Sequence, residues 1–118
     1  MVRVDGTVHY RVFYFFERSG EAVSSASAVA MSAREICDQL LGRLHGPDDF
    51  LGILDAEGNV LQILWEGGGD RYWVELPMNA AKASYGRHMG LTELQELLLG
   101  LRGGFDRRQI PGLRYRPW

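Results

Sequence analysis

Apolar and polar positions alternate with a period of two from Thr7 to Glu17. Val8, Tyr10, Val12, Tyr14 and Phe16 fall on one face, and His9, Arg11, Phe13, Phe15 and Glu17 on the other. That period predicts a long strand, and its aromatic and β-branched side chains suit a pleated sheet. Ser19-Gly20-Glu21 is a turn. Residues 22–30 are rich in Ala and Ser and fit either a second strand or a loop feeding a helix. The period then changes. Ser32-Ala33-Arg34-Glu35 has capping-box spacing, in which the Ser hydroxyl accepts the Glu35 N–H and the Glu carboxylate reaches back. It predicts a helix over 33–44 with Ile36, Leu40, Leu41 and Leu44 as its apolar stripe and Cys37 on the same side. His45-Gly46-Pro47 ends it.

Three apolar runs follow, cut by Asp55-Ala56-Glu57-Gly58-Asn59 and by Glu66-Gly67-Gly68-Gly69-Asp70. Two turn signals at that spacing predict an antiparallel meander with strands at 50–55, 60–65 and 71–76. From Pro77 to Gly90 no period stands out, and the stretch reads as a long loop. Thr92-Glu93-Leu94-Gln95 repeats the capping-box spacing and predicts a helix over 93–101, with Leu94, Leu97, Leu98 and Leu101 as its stripe. Gly100, Gly103 and Gly104 end it, and Pro111-Gly112 is a turn. Leu113 to Trp118 reads as an edge strand with Arg114 and Arg116 on one face and Pro117 near its end. The expected fold class is α+β: one domain spanning 1–118, an antiparallel sheet with a central three-strand meander, and two helices packed on it.

Composition adds bounds. The 118 residues are 46% hydrophobic and 24% charged, ordinary for a chain with a single core. No run approaches the about 18 apolar residues of a membrane span, and Met1 to Gly6 lacks a signal-peptide pattern. The single Cys37 excludes an internal disulfide and fits a reducing compartment, so a cytoplasmic location is expected. The net charge of −2 is unevenly spread. Residues 1–100 hold 8 bases and 14 acids, whereas residues 101–118 hold Arg102, Arg107, Arg108, Arg114 and Arg116 against Asp106. This asymmetry either helps place a partner or is neutralised inside the fold.

The residues that carry chemistry are scattered. His9, His45 and His88 lie at no metal-ligand spacing from one another or from Cys37, so no metal or other cofactor is expected. Cys37 sits mid-helix on the apolar side, where a buried, inert thiol is expected rather than a nucleophile. Gly67-Gly68-Gly69 lacks the lysine and the strand-to-helix context of a phosphate loop and reads as a hairpin turn. Asp48, Asp49, Asp55 and Glu57 lack calcium-loop spacing and read as solvated turn acids. Within 48–75, seven acids (Asp48, Asp49, Asp55, Glu57, Glu66, Asp70 and Glu75) face one base, Arg71. That predicts an acidic rim. With Tyr72, Val74 and Leu76 facing a core, Arg71, Trp73 and Glu75 line the other face, where Trp73 is either a binding anchor or core under a second element. Tyr85-Gly86-Arg87-His88 offers an aromatic and two cationic donors to a partner or an anion. The C-terminal arginines match no nucleic-acid motif in an acidic chain, so no nucleic-acid partner is expected.

Taken together, Phe50-Leu51-Gly52-Ile53-Leu54-Asp55, Gly58-Asn59-Val60-Leu61-Gln62-Ile63, Tyr72-Trp73-Val74-Glu75-Leu76-Pro77, the Leu-rich late helix and the closing Trp118 resemble Imm1-like immunity proteins of bacterial polymorphic toxin systems. The resemblance covers residues 30–118 and rests on element order. It implies a small cytosolic α+β protein that binds and neutralises a cognate toxin, often a deaminase or nuclease, and it assigns no residue. The expected function is therefore non-enzymatic binding of a basic protein partner by a monomer or homodimer, with no membrane involved. The expected partner-binding residues are Glu66, Asp70, Arg71, Tyr72, Trp73, Glu75, Tyr85 and Arg87. Two other readings are open: a small acidic secretion or assembly chaperone that shelters an extended segment, and a small-ligand enzyme with a pocket between sheet and loop.

Overall fold

The computed structural model describes residues 2–4, 7–67, 71–78, 82–105 and 110–118. The fold is α+β. In chain order the strands are β1 (Val2–Val4), β2 (Thr7–Phe16), β3 (Glu21–Val23), β4 (Val29–Ser32), β5 (Phe50–Leu54), β6 (Val60–Trp65), β7 (Tyr72–Met78), β8 (Ala83–Met89) and β9 (Arg114–Pro117), with helices α1 (Ala33–Gln39) and α2 (Leu91–Gly100). The described strands form one antiparallel sheet in the order β1-β2-β5-β6-β7-β8-β9, and β3 and β4 both pair with β2. The long period-two run does become β2. It is long enough to hold β5 along Arg11–Phe15 while β4 takes His9–Val12 on the other side.

One face of the sheet holds the core. Tyr10, Val12 and Phe16 of β2, Leu51 and Ile53 of β5, Leu61 and Ile63 of β6, and Tyr72, Val74 and Leu76 of β7 are buried there. Ile36, Leu40, Leu41 and Leu44 from the first helical region and Leu94 and Leu98 from α2 close over them. Burying a side chain of this size contributes about 1.5–3 kcal/mol each. The Ser32–Glu35 capping box forms, with Glu35 N donating to Ser32 Oγ at 3.2 Å and Ser32 N to Glu35 Oε1 at 2.9 Å. None of the described helices is long and apolar enough to cross a membrane.

The structure corrects several expectations. Residues 22–30 are neither one strand nor a plain loop: β3 and β4 flank a 3₁₀ turn at Ser25–Ser27. The helix expected over 33–44 stops at Gln39, and a 3₁₀ turn at Leu41–Arg43 continues it, keeping Leu40, Leu41 and Leu44 buried. The expected loop over 77–90 contains β8, paired with β7 from Tyr72↔Met89 to Met78↔Ala83. Its outer positions are Ser84, Gly86 and His88 and its inner ones include Arg87, so hydrophobicity does not betray a strand. The second helix begins at Leu91 with Gly90 as its cap, and Leu94 N bonds Gly90 O at 3.0 Å. Extended backbone at Gly90 starts the helix two residues before the Thr92–Gln95 spacing would.

The largest correction concerns Asp49 and Asp55, expected as solvated turn acids. Each is 2% exposed. Asp49 accepts the N–H groups of Glu17, His45 and Gly46 at 2.8, 2.8 and 3.1 Å. Asp55 accepts Glu57 N, Asn59 N, Asn59 Nδ2 and Phe105 N at 2.8–3.0 Å. Burial by itself raises both carboxyls. For Asp49 the His45, Glu17 and Gly46 amides outweigh it, and for Asp55 the Asn59 side chain and the Phe105, Asn59 and Glu57 amides do. Both groups end below the ordinary aspartate value. A depressed native value makes the stabilisation complete above the unfolded value of about 3.9, and it is lost as pH falls through the native one. Asp55→Ala is expected to lose about 3 kcal/mol in urea unfolding at pH 7, because it strands buried donors. Asp49→Asn combined with Asp55→Asn should flatten the acid limb of a stability–pH profile. An unchanged profile would mean that other carboxylates govern acid unfolding.

Candidate functional site

The outer face of the sheet is the surface that this fold leaves open. The helices pack on the inner face, so among the described residues no helix covers the outer one. Register aligns its side chains across the strands. Phe15 stands opposite Phe50, Phe50 opposite Leu64, Leu64 opposite Trp73, and Trp73 opposite His88. This row is apolar over four strands and ends on an exposed histidine. The neighbouring row runs Phe13, Gly52, Gln62, Glu75, Gly86 and Arg114. Its two glycines are filled by rings from beside them. Phe13 lies over Gly52 and Trp73 over Gly86, and a Cβ at either position would collide with the ring.

Trp73 is 7% exposed, so it is buried as the core alternative had it and is not a free anchor, and among the described residues no helix covers it. Neighbouring strands cover it instead. The Arg116 guanidinium stacks 4.6 Å from its ring, and His88 meets it edge-on at 5.0 Å between centroids. Its Nε1 donates to Glu75 Oε2 at 2.6 Å. Ser84 Oγ donates to the same oxygen at 3.0 Å and accepts from Trp118 Nε1 at 3.1 Å. Glu75 is thus occupied as a structural acceptor. Glu66 lies 3.3 Å from His88 Nε2, and Arg71 Nη2 lies 3.5 Å from His88 Nδ1.

The expected site is divided by the sheet. Glu66, Arg71, Trp73 and Glu75 come together at the outer face. Tyr72 is core. Tyr85 and Arg87 share the inner-face register with Leu76 and Val74, where Tyr85 meets Tyr115 edge-on at 5.5 Å. Arg87 bonds Glu93 at 2.7 Å and the Pro111 carbonyl at 3.1 Å. Asp70 lies outside the described residues. Asp49 and Asp55 are buried and so add nothing to an acidic rim, and among the described residues the 55–59 turn and Glu66 lie at opposite ends of the meander. Among the described residues, the outer face carries Arg11, Arg71, Arg114 and Arg116 against the carboxylates of Glu66 and Glu75, so its described part is basic where an acidic surface was expected.

The chain matches no family model, no curated protein and no solved structure.

Chemistry is sparse. Among the described residues no three His, Cys, Asp or Glu side chains converge as metal ligands would. Burial pushes the Cys37 thiol up, with Asp38 adding to the effect and Arg34 opposing it, which leaves the thiol poorly suited to nucleophilic work. Sequence reasoning missed Phe13, Phe15, Phe50, Leu64, Arg114 and Arg116 as one surface. The alternation in β2 and β9 placed some of them on a common face of their own strands, but only the register between strands joins them.

Gly86→Ala is expected to unseat Trp73, because the added Cβ would stand 2.9 Å from the Val74 carbonyl oxygen as well as inside the indole. The expected outcome is a red-shifted Trp emission and a loss of about 1–3 kcal/mol in chemical denaturation. Unchanged fluorescence and stability would place the indole elsewhere.

Proposed function

We propose that this chain is a non-enzymatic protein-binding module that holds its partner across the open sheet face. We further propose, following the resemblance to immunity proteins, that the partner is a bacterial toxin which the module neutralises. The observation that carries the reading is the row of half-buried Phe15, Phe50 and Leu64, continued by buried Trp73, on a face that none of the described helices covers. Contiguous apolar surface of this kind marks interaction sites. The bordering arginines, Arg11, Arg114 and Arg116, make an apolar patch rimmed by acids the complementary partner surface. Three arginines on a chain of net charge −2 are too sparse to track a phosphate backbone. Strand addition, as a chaperone would use it, is disfavoured at β9, where Arg114, Arg116 and Pro117 guard the edge.

The test is co-expression with the product of an adjacent toxin-like gene, followed by affinity measurement. Phe15→Asp should weaken the complex roughly thirtyfold, about 2 kcal/mol, as loss of a hot spot does. Glu96→Lys, on the exposed side of α2, should leave it unchanged. Circular dichroism establishes first that both variants fold. Binding that survives Phe15→Asp and fails with Glu96→Lys would move the interface to the helical face and refute the proposal.

A further inference from the structure

β9 pairs with β8 only over Ala83–Gly86. Beyond Gly86 the edge of β8 has no strand partner among the described residues, and the chain approaches it instead through the Pro111–Gly112 turn. A cleft of about 430 Å³ opens there, lined by Trp73, Gly86, Arg87, His88, the two turn residues and Arg114. That volume lies in the range of small-molecule sites.

The side chains that line the cleft are basic, although Glu93 pairs with Arg87 and Glu66 lies 3.3 Å from His88 Nε2. The lining itself holds two guanidinium groups and an imidazole and no carboxylate. Arg87 belongs to the inner face and Arg114 to the outer one, so the two bracket the bare strand edge from opposite sides. Arg87 is held in place by Glu93 and by the Pro111 carbonyl. No acid among the described residues pairs with Arg114. Gly86 and Gly112 keep the walls free of side chains, and Trp73 and Pro111 supply apolar surface. A second cleft, of about 490 Å³, lies on the other side of the Trp73–Arg116 stack, but Glu66 and Glu75 line it beside Arg116, so it does not favour an anion.

We propose that the cleft between β8 and the Pro111–Gly112 turn binds a small organic oxyanion, with Arg114 as the fork that meets the charge and the indole edge of Trp73 against the ligand's apolar body. Guanidinium groups suit carboxylates and phosphates alike, because paired N–H donors match two oxygens at once. This site does not depend on the proposed protein partner, and the protein alone suffices to test it.

The probes are phenyl phosphate and benzoate, with uncharged benzamide as control, titrated into the ¹⁵N-labelled protein. At least one anion should shift the Trp73 indole N–H and the Arg114 amide saturably, while benzamide does not. Phenyl phosphate binding more tightly than benzoate assigns a phosphate ester as ligand class, and the reverse order assigns a carboxylate. Arg114→Gln, at an exposed position, should weaken binding at least about tenfold, and Arg34→Gln, an exposed arginine on α1, should not. The proposal is overturned if neither anion saturates, if benzamide binds equally well, or if Arg114→Gln binds as the wild type does.

Discussion

Two buried carboxylates, one at each end of β5, organise this molecule. Asp49 gathers amides from the end of β2 and from the turn after the first helical region. Asp55 gathers those of the β5–β6 turn together with Phe105, fifty residues on. A buried charge without partners would be costly, and these have several charge-assisted donors each. They therefore convert loose connections into fixed ones. β5 is held between β2 and β6 by its ladder and closed at both ends by charge. The segment after α2 is drawn onto the core, where Phe105 stacks on Tyr10 at 5.5 Å and Gly103 N donates to the Tyr10 hydroxyl at 3.0 Å.

This also shows what the amino-acid sequence does and does not reveal. β2, the meander and the first cap were legible because their signals are local: a period of two, turn residues at fixed spacing, and a Ser three residues before a Glu. β8 was not, because Arg87 occupies an inner position where the periodic signal needs an apolar residue, for a reason that lies in its partner Glu93 of α2. Asp49 and Asp55 look like any acids beside Gly, Pro or Asn, and their burial follows from donors 32 and 50 residues away. The same limit explains the sign of the open face. Counting charges along 48–75 treats neighbours in the chain as neighbours in space. The sheet instead buries two of those acids, separates others at opposite ends, and brings in arginines from the last strand.

The outer face is consequently made by pairing rather than by any one segment. Phe15, Phe50, Leu64 and Trp73 come from four strands, and a slip of one residue in any ladder would turn that strand's contribution to the opposite side. The core restrains such slips, since the alternate positions are the buried ones. The open surface thus inherits its geometry from the closed one. Gly52 and Gly86 refine it by giving the rings of Phe13 and Trp73 room to lie over them.

The lateness of β9 has a consequence for how the protein is made. The strand that stacks Arg116 on Trp73 follows the meander in the chain, and the Trp118 indole completes the hydrogen-bond chain to Glu75. During synthesis the meander leaves the ribosome well before these residues do, with its indole bare and its last strand edge unpaired. Domains dominated by distant pairings fold slowly and expose sticky surface while they wait. Until β9 has been made, the apolar row lacks the part of its cationic border that Arg114 and Arg116 supply.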